Sequence, residues 1–144
     1  MHLEEIDTPA LLLDLDAVED NIASMQSMIA GSHVRLRPHF KTPKCPQIAR
    51  MQLAAGAIGI TVAKLGEAEV LADAGLGPIL MANQVVGAPK LARLTALLRR
   101  GVDITVAVES EFNVRELGRA ARDAGVRAAA VVEVDAGMHR CGTA

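Results

Sequence analysis

Glycines end the helical stretches of this chain at regular intervals, and this repeat restricts its fold more than any other feature. Each glycine follows an Ala/Leu-rich amphipathic run, where the residue after a helix end would sit. They are Gly31, Gly56, Gly75, Gly101 and Gly125. A short apolar run of strand character follows each one, at 34–36, 58–62, 79–82, 104–108 and 128–134. Strands that alternate with helices in this way predict βαβ units and a parallel sheet.

The sequence also predicts the limits of two helices. An extended piece at 10–13 precedes the first helix, which we expect to begin near Asp16, with Glu19 completing a capping-box-like pair. A later helix is expected to begin after Ser110 and to run to Ala124. No linker rich in Pro, Ser or Gly interrupts the pattern, so we predict no domain boundary within residues 1–144.

Two parallel α/β architectures compete for this pattern. A doubly wound sheet normally has a glycine-rich phosphate loop after its first strand, whereas this chain has RPHFK at 37–41. A barrel needs no such loop, and its chemistry lies at the C-terminal strand ends. We therefore favour a partial (β/α)8 TIM-type barrel with about five parallel strands. Because a closed barrel has eight strands in roughly 250 residues, we expect this chain to be the N-terminal part of a longer protein.

The composition excludes several classes of function. The chain is 51% hydrophobic and 22% charged, with a net charge of −2, so no global positive field favours nucleic acid or anionic lipid. It has no Trp or Tyr on which bases could stack. Its apolar stretches are shorter than a membrane span, and its first residues do not form a secretory signal. Cys45 and Cys141 fit no metal spacing, so we expect reduced thiols and a cytoplasmic protein.

Residues 34–41 gather positive charge at the end of a predicted strand. Alternation places one polar set on a single face, namely Arg35, Arg37, His39 and Lys41. In a barrel this face would line the lumen, with Lys41 at the mouth. Positive neighbours and partial desolvation there favour a free amine, which Schiff-base chemistry requires. The alternative is that Lys41 and Lys44 are solvated loop lysines.

The segment VVEVDAGMHRCG at 131–142 is the second candidate. By alternation Glu133 and Asp135 share a face and would enter the lumen, where Arg37 or Arg140 could neutralise them. The alternative makes Asp135 a turn or cap residue and Arg140 a surface cation. Further polar residues fall at other predicted strand ends: Lys64, Asn83, Gln84 and Glu109.

Together these two segments resemble a known family. PHFKTPK at 38–44 resembles the P-H-x-K-T-H-K signature of fold-type III pyridoxal-phosphate enzymes of the D-threonine aldolase and D-serine dehydratase group. VEVDAGMHRCG at 132–142 resembles that group's second motif and, more distantly, the matching segment of alanine racemases. Three further stretches are similar as well, so the resemblance covers essentially the whole chain: TPALLLDLDAVEDNI, KCPQIARMQLAAGAIGITVAKLGEAEVL and ANQVVGAPKLARL.

The resemblance implies pyridoxal 5′-phosphate as cofactor and assigns three residues to it. Lys41 matches the lysine that forms the Schiff base, Arg140 the arginine that binds the phenolic oxygen, and His39 the histidine next to the pyridine ring. Lys41 and His39 are thus the catalytic candidates. Pro43 departs from the signature, which often has histidine there, so that histidine's role is open in this chain. The family also implies a divalent metal whose ligands lie in a C-terminal β-domain outside residues 1–144.

The implied function is a lyase that acts on D-amino acids. Our first hypothesis is retro-aldol cleavage of D-β-hydroxy-α-amino acids, as in D-threonine aldolase. The alternatives are D-serine dehydratase-like elimination, an amino-acid racemase, a non-catalytic barrel that binds pyridoxal phosphate, and a cofactor-free Schiff-base aldolase. The resemblance implies a homodimer at full length. We expect the 144-residue chain alone to bind cofactor weakly and to be inactive.

Overall fold

The structure is a computed structural model that describes residues 2–144. After a 3-10 turn at Leu3–Glu5, it has five helices: α1 (Leu15–Met28), α2 (Pro46–Ala54), α3 (Leu65–Asp73), α4 (Ala88–Arg99) and α5 (Glu111–Ala124). It has four strands: β1 (Ile60–Val62), β2 (Ile79–Met81), β3 (Ile104–Val108) and β4 (Ala129–Val132). From α2 onward helices and strands alternate, as the glycine spacing predicts.

The four strands form one parallel sheet in the order β1-β2-β3-β4. Each strand therefore lies beside its neighbour in the sequence. A doubly wound sheet would reverse its order at a switch point, whereas the wall of a barrel adds strands in one direction. The prediction of a partial (β/α) barrel is confirmed.

The first predicted strand is wrong in its position. Residues 34–36 form no regular strand, and parallel pairing with β1 involves the stretch 36–40 instead, with one bridge between His39 and Thr61. The N–H of Phe40 donates to the backbone carbonyl oxygen of Thr61 (2.8 Å), and the N–H of Thr61 donates to that of Pro38 (2.7 Å). Pro38 has no N–H to donate, so the pairing stays irregular.

The core lies between the sheet and helices α3 and α4. Its fully buried side chains come from the strands and from the inner faces of these helices: Ile60, Val62, Leu71, Ile79, Met81, Leu94 and Val106. Helix α1 contributes no buried residue. The sheet thus packs mainly on α3 and α4, with Leu117 of α5 also in the core, and its C-terminal edge carries the loops.

Two helix limits can be compared with their predictions. Helix α1 begins at Leu15, one residue before the predicted start, because Asp14 is the N-cap and its Oδ1 accepts a hydrogen bond from the N–H of Ala17 (3.0 Å). Asp16 lies in the first turn instead. Helix α5 has the predicted limits, with Ser110 as N-cap and Gly125 after its last residue at φ +68°. Among residues 2–144, no helix is long and apolar enough to cross a membrane.

Candidate functional site

The two candidates His39 and Lys41 are neighbours at the C-terminal end of the first extended segment. Lys41 is exposed and lies in the turn that follows the bridge to β1. His39 is half-buried, and its Nδ1 accepts a hydrogen bond from the backbone N–H of Lys41 (3.2 Å). Burial lowers the pKa of His39, and the charge of Lys41 lowers it further, although Glu67 opposes the effect. The imidazole is therefore held towards its neutral form.

Arg37 does not lie with Lys41 at the strand ends. Its Nη1 donates to the carbonyl oxygen of Pro78 (3.4 Å), which precedes β2. That carbonyl lies at the N-terminal end of the sheet, opposite the end that carries Lys41. Arg37 therefore does not neutralise Glu133 or Asp135, and that expectation is wrong for Arg37.

A hydrogen-bonded cluster joins the ends of β2, β3 and β4. The Nε2 of Gln84 donates to Glu109 Oε2 (3.0 Å) and to Glu133 Oε2 (2.6 Å). Glu109 also accepts from the N–H of Gly142 (2.8 Å), and Glu133 accepts from the thiol of Cys141 (3.0 Å). The hydrogen bond to Glu133 raises the pKa of the Cys141 thiol, so the thiol stays a protonated donor. Glu133 is thus satisfied by neutral donors, and within residues 2–144 it forms no ion pair with Arg140.

Asp135 organises the loop that carries Arg140. Its Oδ1 accepts hydrogen bonds from the N–H groups of Gly137 (2.9 Å) and His139 (3.0 Å), and its Oδ2 lies 3.1 Å from His139 Nδ1. The backbone bonds from His139 and Gly137 hold the pKa of Asp135 below its usual range. Asp135 is therefore a turn residue, which is the second of the two interpretations. Beyond the loop, the N–H of Thr143 donates to the backbone carbonyl oxygen of Glu133 (2.9 Å), so the loop closes back on the end of β4.

Arg140 and Lys41 share one end of the sheet without touching. Both are exposed, and neither takes part in an ion pair within the described residues 2–144. Lys41 follows the first of five parallel segments and Arg140 follows the last. The structure thus brings His39 and Lys41 together and leaves Arg140 on the far edge.

The sequence did not predict how the other polar strand ends are connected. Glu109 and Gln84 were singled out by their positions, but their joint bonds to the loop at 135–143 were not. Glu67 was missed: it is buried, and its Oε2 accepts from the N–H of Ala63 (2.9 Å). The signal in the sequence is the position of Glu67 in the first turn of a helix, where a carboxylate can accept from a nearby backbone N–H. Within residues 2–144, no group of three or more His, Cys, Asp or Glu residues could hold a metal ion.

The chain's fold and strand-end loops can be compared with known proteins. The family model "Alanine racemase, N-terminal domain" matches residues 13–144, and the chain belongs to this family. The chain is 44% identical over 140 residues to D-threonine aldolase from an Arthrobacter species, covering 97% of this chain and 37% of that protein. It is 42% identical to D-threo-3-hydroxyaspartate dehydratase from Delftia sp. HT23, covering 95% of this chain and 36% of the dehydratase.

A solved structure has the same fold over the matched residues. The crystal structure of D-threonine aldolase from Filomicrobium marinum superposes with a TM-score of 0.92 at 44% identity, covering 98% of this chain and 38% of the other. The chain therefore spans somewhat over a third of the length of these relatives. The resemblance to the D-threonine aldolase group is confirmed, while the roles of Lys41, His39 and Arg140 stay predictions.

Proposed function

We propose that this chain is the N-terminal part of a pyridoxal-phosphate-dependent lyase that cleaves D-β-hydroxy-α-amino acids by a retro-aldol reaction. The observation that carries this is the 44% identity to a D-threonine aldolase along nearly the whole chain, with an exposed primary amine at Lys41 on a barrel strand end. The proposal includes a small D-amino acid as substrate and a homodimer at full length.

The side chains present suit the cofactor chemically. The primary amine of Lys41 matches an aldehyde, and the imidazole of His39 matches a heteroaromatic ring. The guanidinium of Arg140, which has no acidic partner within residues 2–144, matches an anionic phenolic oxygen. Bound pyridoxal phosphate supplies a conjugated ring that accepts the electron pair left on Cα when a bond there breaks. Lys41 would hold the aldehyde carbon, and Arg140 would hold the phenolic oxygen in its ionised form.

His39 has a narrower role in this proposal. Because its pKa is lowered, it adds little positive charge beside the lysine amine. Its Nδ1 is occupied by the N–H of Lys41, which fixes the ring relative to the turn that carries that lysine. His39 would therefore orient Lys41 and pack beside the cofactor ring. The metal that the family implies finds no ligand cluster within residues 2–144, so we assign it no step here.

Elimination is the second candidate function. The 42% identity to a D-threo-3-hydroxyaspartate dehydratase favours it specifically, because that alignment also covers 95% of this chain. The products separate the two reactions. Retro-aldol cleavage of D-threonine yields glycine and acetaldehyde, whereas elimination yields a 2-oxo acid and ammonia.

The test uses the full-length polypeptide that carries residues 1–144, supplied with pyridoxal phosphate. We expect glycine and acetaldehyde from D-threonine and none from L-threonine. Borohydride reduction followed by peptide mapping should place the covalent label on Lys41. Lys41→Arg should abolish both label and turnover, because it keeps the charge and removes the primary amine.

Lys44→Arg is the matched control, since Lys44 is also an exposed lysine and follows Lys41 by three residues. It should retain the label and turnover. Full activity in Lys41→Arg, or a label on another lysine, would refute the assignment. A protein that binds cofactor and turns over no D-amino acid would instead be the non-catalytic barrel.

A further inference from the structure

Gln84 stands between two carboxylates and satisfies both. Its Nε2 carries two hydrogens, and one is directed to Glu109 Oε2 (3.0 Å) and the other to Glu133 Oε2 (2.6 Å). The reverse orientation of the amide would bring an oxygen against two carboxylate oxygens. No lysine or arginine pairs with either carboxylate within residues 2–144. Gln84, Glu109 and Glu133 therefore form one unit, the carboxamide bridge, in which a neutral amide holds two carboxylates together.

The carboxamide bridge fixes the two residues that follow Arg140. Glu133 Oε1 accepts from the thiol of Cys141 (3.0 Å), and Glu109 Oε2 accepts from the N–H of Gly142 (2.8 Å). Gly142 has no room for a side chain, because a Cβ there would lie 2.6 Å from the backbone nitrogen of Asp135, and its φ is +104°. The backbone just after Arg140 is thus held from two neighbouring strand ends.

The backbone just before Arg140 is held separately. Asp135 accepts from the N–H groups of Gly137 and His139, which fixes the first half of the loop. The guanidinium of Arg140 has no ion-pair partner in the described residues that would set its direction. Its side chain lies near the Cys141 thiol, where it opposes the rise in the pKa of that thiol. The direction of Arg140 therefore depends on Cys141 and on the backbone at 139–142, and the carboxamide bridge contacts both Cys141 and Gly142.

We propose that Gln84 is a positioning residue, which joins Glu109 to Glu133 and so holds Arg140 in the direction needed to bind an anionic oxygen of the cofactor. Gln84 itself touches neither cofactor nor substrate in this proposal. The cofactor part rests on the proposed function. The part that concerns the loop rests only on the hydrogen bonds, so the two can be tested apart.

The first test measures amide hydrogen exchange at Gly142 in the cofactor-free, full-length protein. Gln84→Met removes both donors, and Gln84→Glu keeps the shape of the side chain while it also removes them. Both variants should speed exchange at Gly142 by about tenfold or more, the factor for loss of one hydrogen bond to a charged group. Exchange within 79–81 should stay unchanged, which shows that β2 remains folded.

Asn83→Ala is the matched control. Asn83 is the adjacent carboxamide at the same strand end, but its Nδ2 donates to the backbone oxygen of Ala63 (2.9 Å) and to no carboxylate. Exchange at Gly142 should stay at the wild-type rate in this variant. Unchanged exchange at Gly142 in both Gln84 variants would overturn the proposal, as would equal acceleration in Asn83→Ala.

The second test is a double-mutant cycle on the dissociation constant of pyridoxal phosphate, followed by visible absorbance. Gln84→Met should weaken binding about tenfold when Arg140 is present and less than about twofold in an Arg140→Ala background. Equal weakening in both backgrounds would show that Gln84 does not act through Arg140, and would overturn that part. If the wild-type protein binds no pyridoxal phosphate, the proposed function fails, whereas the exchange at Gly142 still decides the role of the bridge.

Discussion

Replacement of Gly59 by alanine should push the start of β1 away from the start of β2. Gly59 lies just before β1 and adopts φ +153°, which side-chain-bearing residues avoid. A Cβ there would lie 2.5 Å from the carbonyl oxygen of Pro78 and would also collide with the Arg37 guanidinium. Arg37 can swing away, but the Pro78 oxygen is backbone and accepts the N–H of Ile60 (2.8 Å). Alanine must therefore push β1 and the start of β2 apart.

The size of the effect follows from two contributions. The disfavoured φ alone costs roughly 1–2 kcal/mol for an alanine. Loss of the hydrogen bond from Ile60 to Pro78 costs about 1 kcal/mol more, and the backbone shift adds to it. We expect Gly59→Ala to lower the free energy of unfolding by about 3 kcal/mol. Gly75→Ala is the control: Gly75 has φ +67° but no atom within 4 Å of its Cβ position, so only the backbone cost of about 1 kcal/mol applies.

Urea titration followed by circular dichroism measures both variants. The midpoint should fall much further in Gly59→Ala than in Gly75→Ala, with the same dependence on urea concentration. Since β1 also pairs with the segment that carries His39, the variant should lose the protection of the Thr61 amide, which donates to Pro38. If Gly59→Ala loses no more stability than Gly75→Ala, the Pro78 carbonyl does not limit the space at Gly59.

Two further predictions concern the core and the pH dependence of stability. Leu94 is 0% exposed, so Leu94→Ala should lower the free energy of unfolding by about 3–4 kcal/mol in the same urea titration, whereas Phe112→Ala, at a side chain 60% exposed, should change it by less than about 0.5 kcal/mol. The pKa of His39 is lowered in the folded chain from 6.5, so its contribution to stability is fully present above pH 6.5 and is lost as the pH falls through the folded-state pKa. Urea midpoints measured below pH 6.5 should therefore fall less steeply in His39→Gln than in the wild type, and identical slopes would contradict this.

The fold could be predicted where local pattern and tertiary structure agree. Residues 104–108 form β3 as predicted, and helix α5 runs from its serine cap to Gly125 because the cap, the amphipathic pattern and the terminal glycine all agree. The N-cap of α1 lies two residues before the Asp16 of the predicted capping pair, and the sequence does not separate the two because Asp14 and Asp16 carry the same capping group. Only the extended backbone of Asp14, at φ −77° and ψ 107°, selects it, and the sequence does not record that geometry.

The sequence predicts which polar residues lie at the strand ends, but not which groups they hydrogen-bond. Alternation along one strand shows which side chains share a face, so Glu133 was correctly expected to need a partner. Which group supplies it depends on tertiary structure: the register of the sheet brings Gln84 to Glu133, and the closure of the loop after β4 brings Cys141, in place of an arginine. The sequence gives little sign that neutral donors would pair with Glu133, because a positively charged side chain is the usual partner expected for a carboxylate.

The curvature of the sheet decides whether the three predicted cofactor residues can work together. Lys41 and Arg140 follow the first and last of five parallel segments, and strands spaced by about 4.8 Å would separate them by about 19 Å along a flat sheet. Side chains that stand perpendicular to a flat sheet would not both reach a single small cofactor across that distance. A barrel wall curves, so the C-terminal ends of distant strands face one another across a narrow mouth. The catalytic proposal therefore depends on barrel curvature as much as on side-chain identity. For the same reason the bridge from Gln84 to Glu109 and Glu133 matters, because it ties the loop of Arg140 to the strands that form the wall.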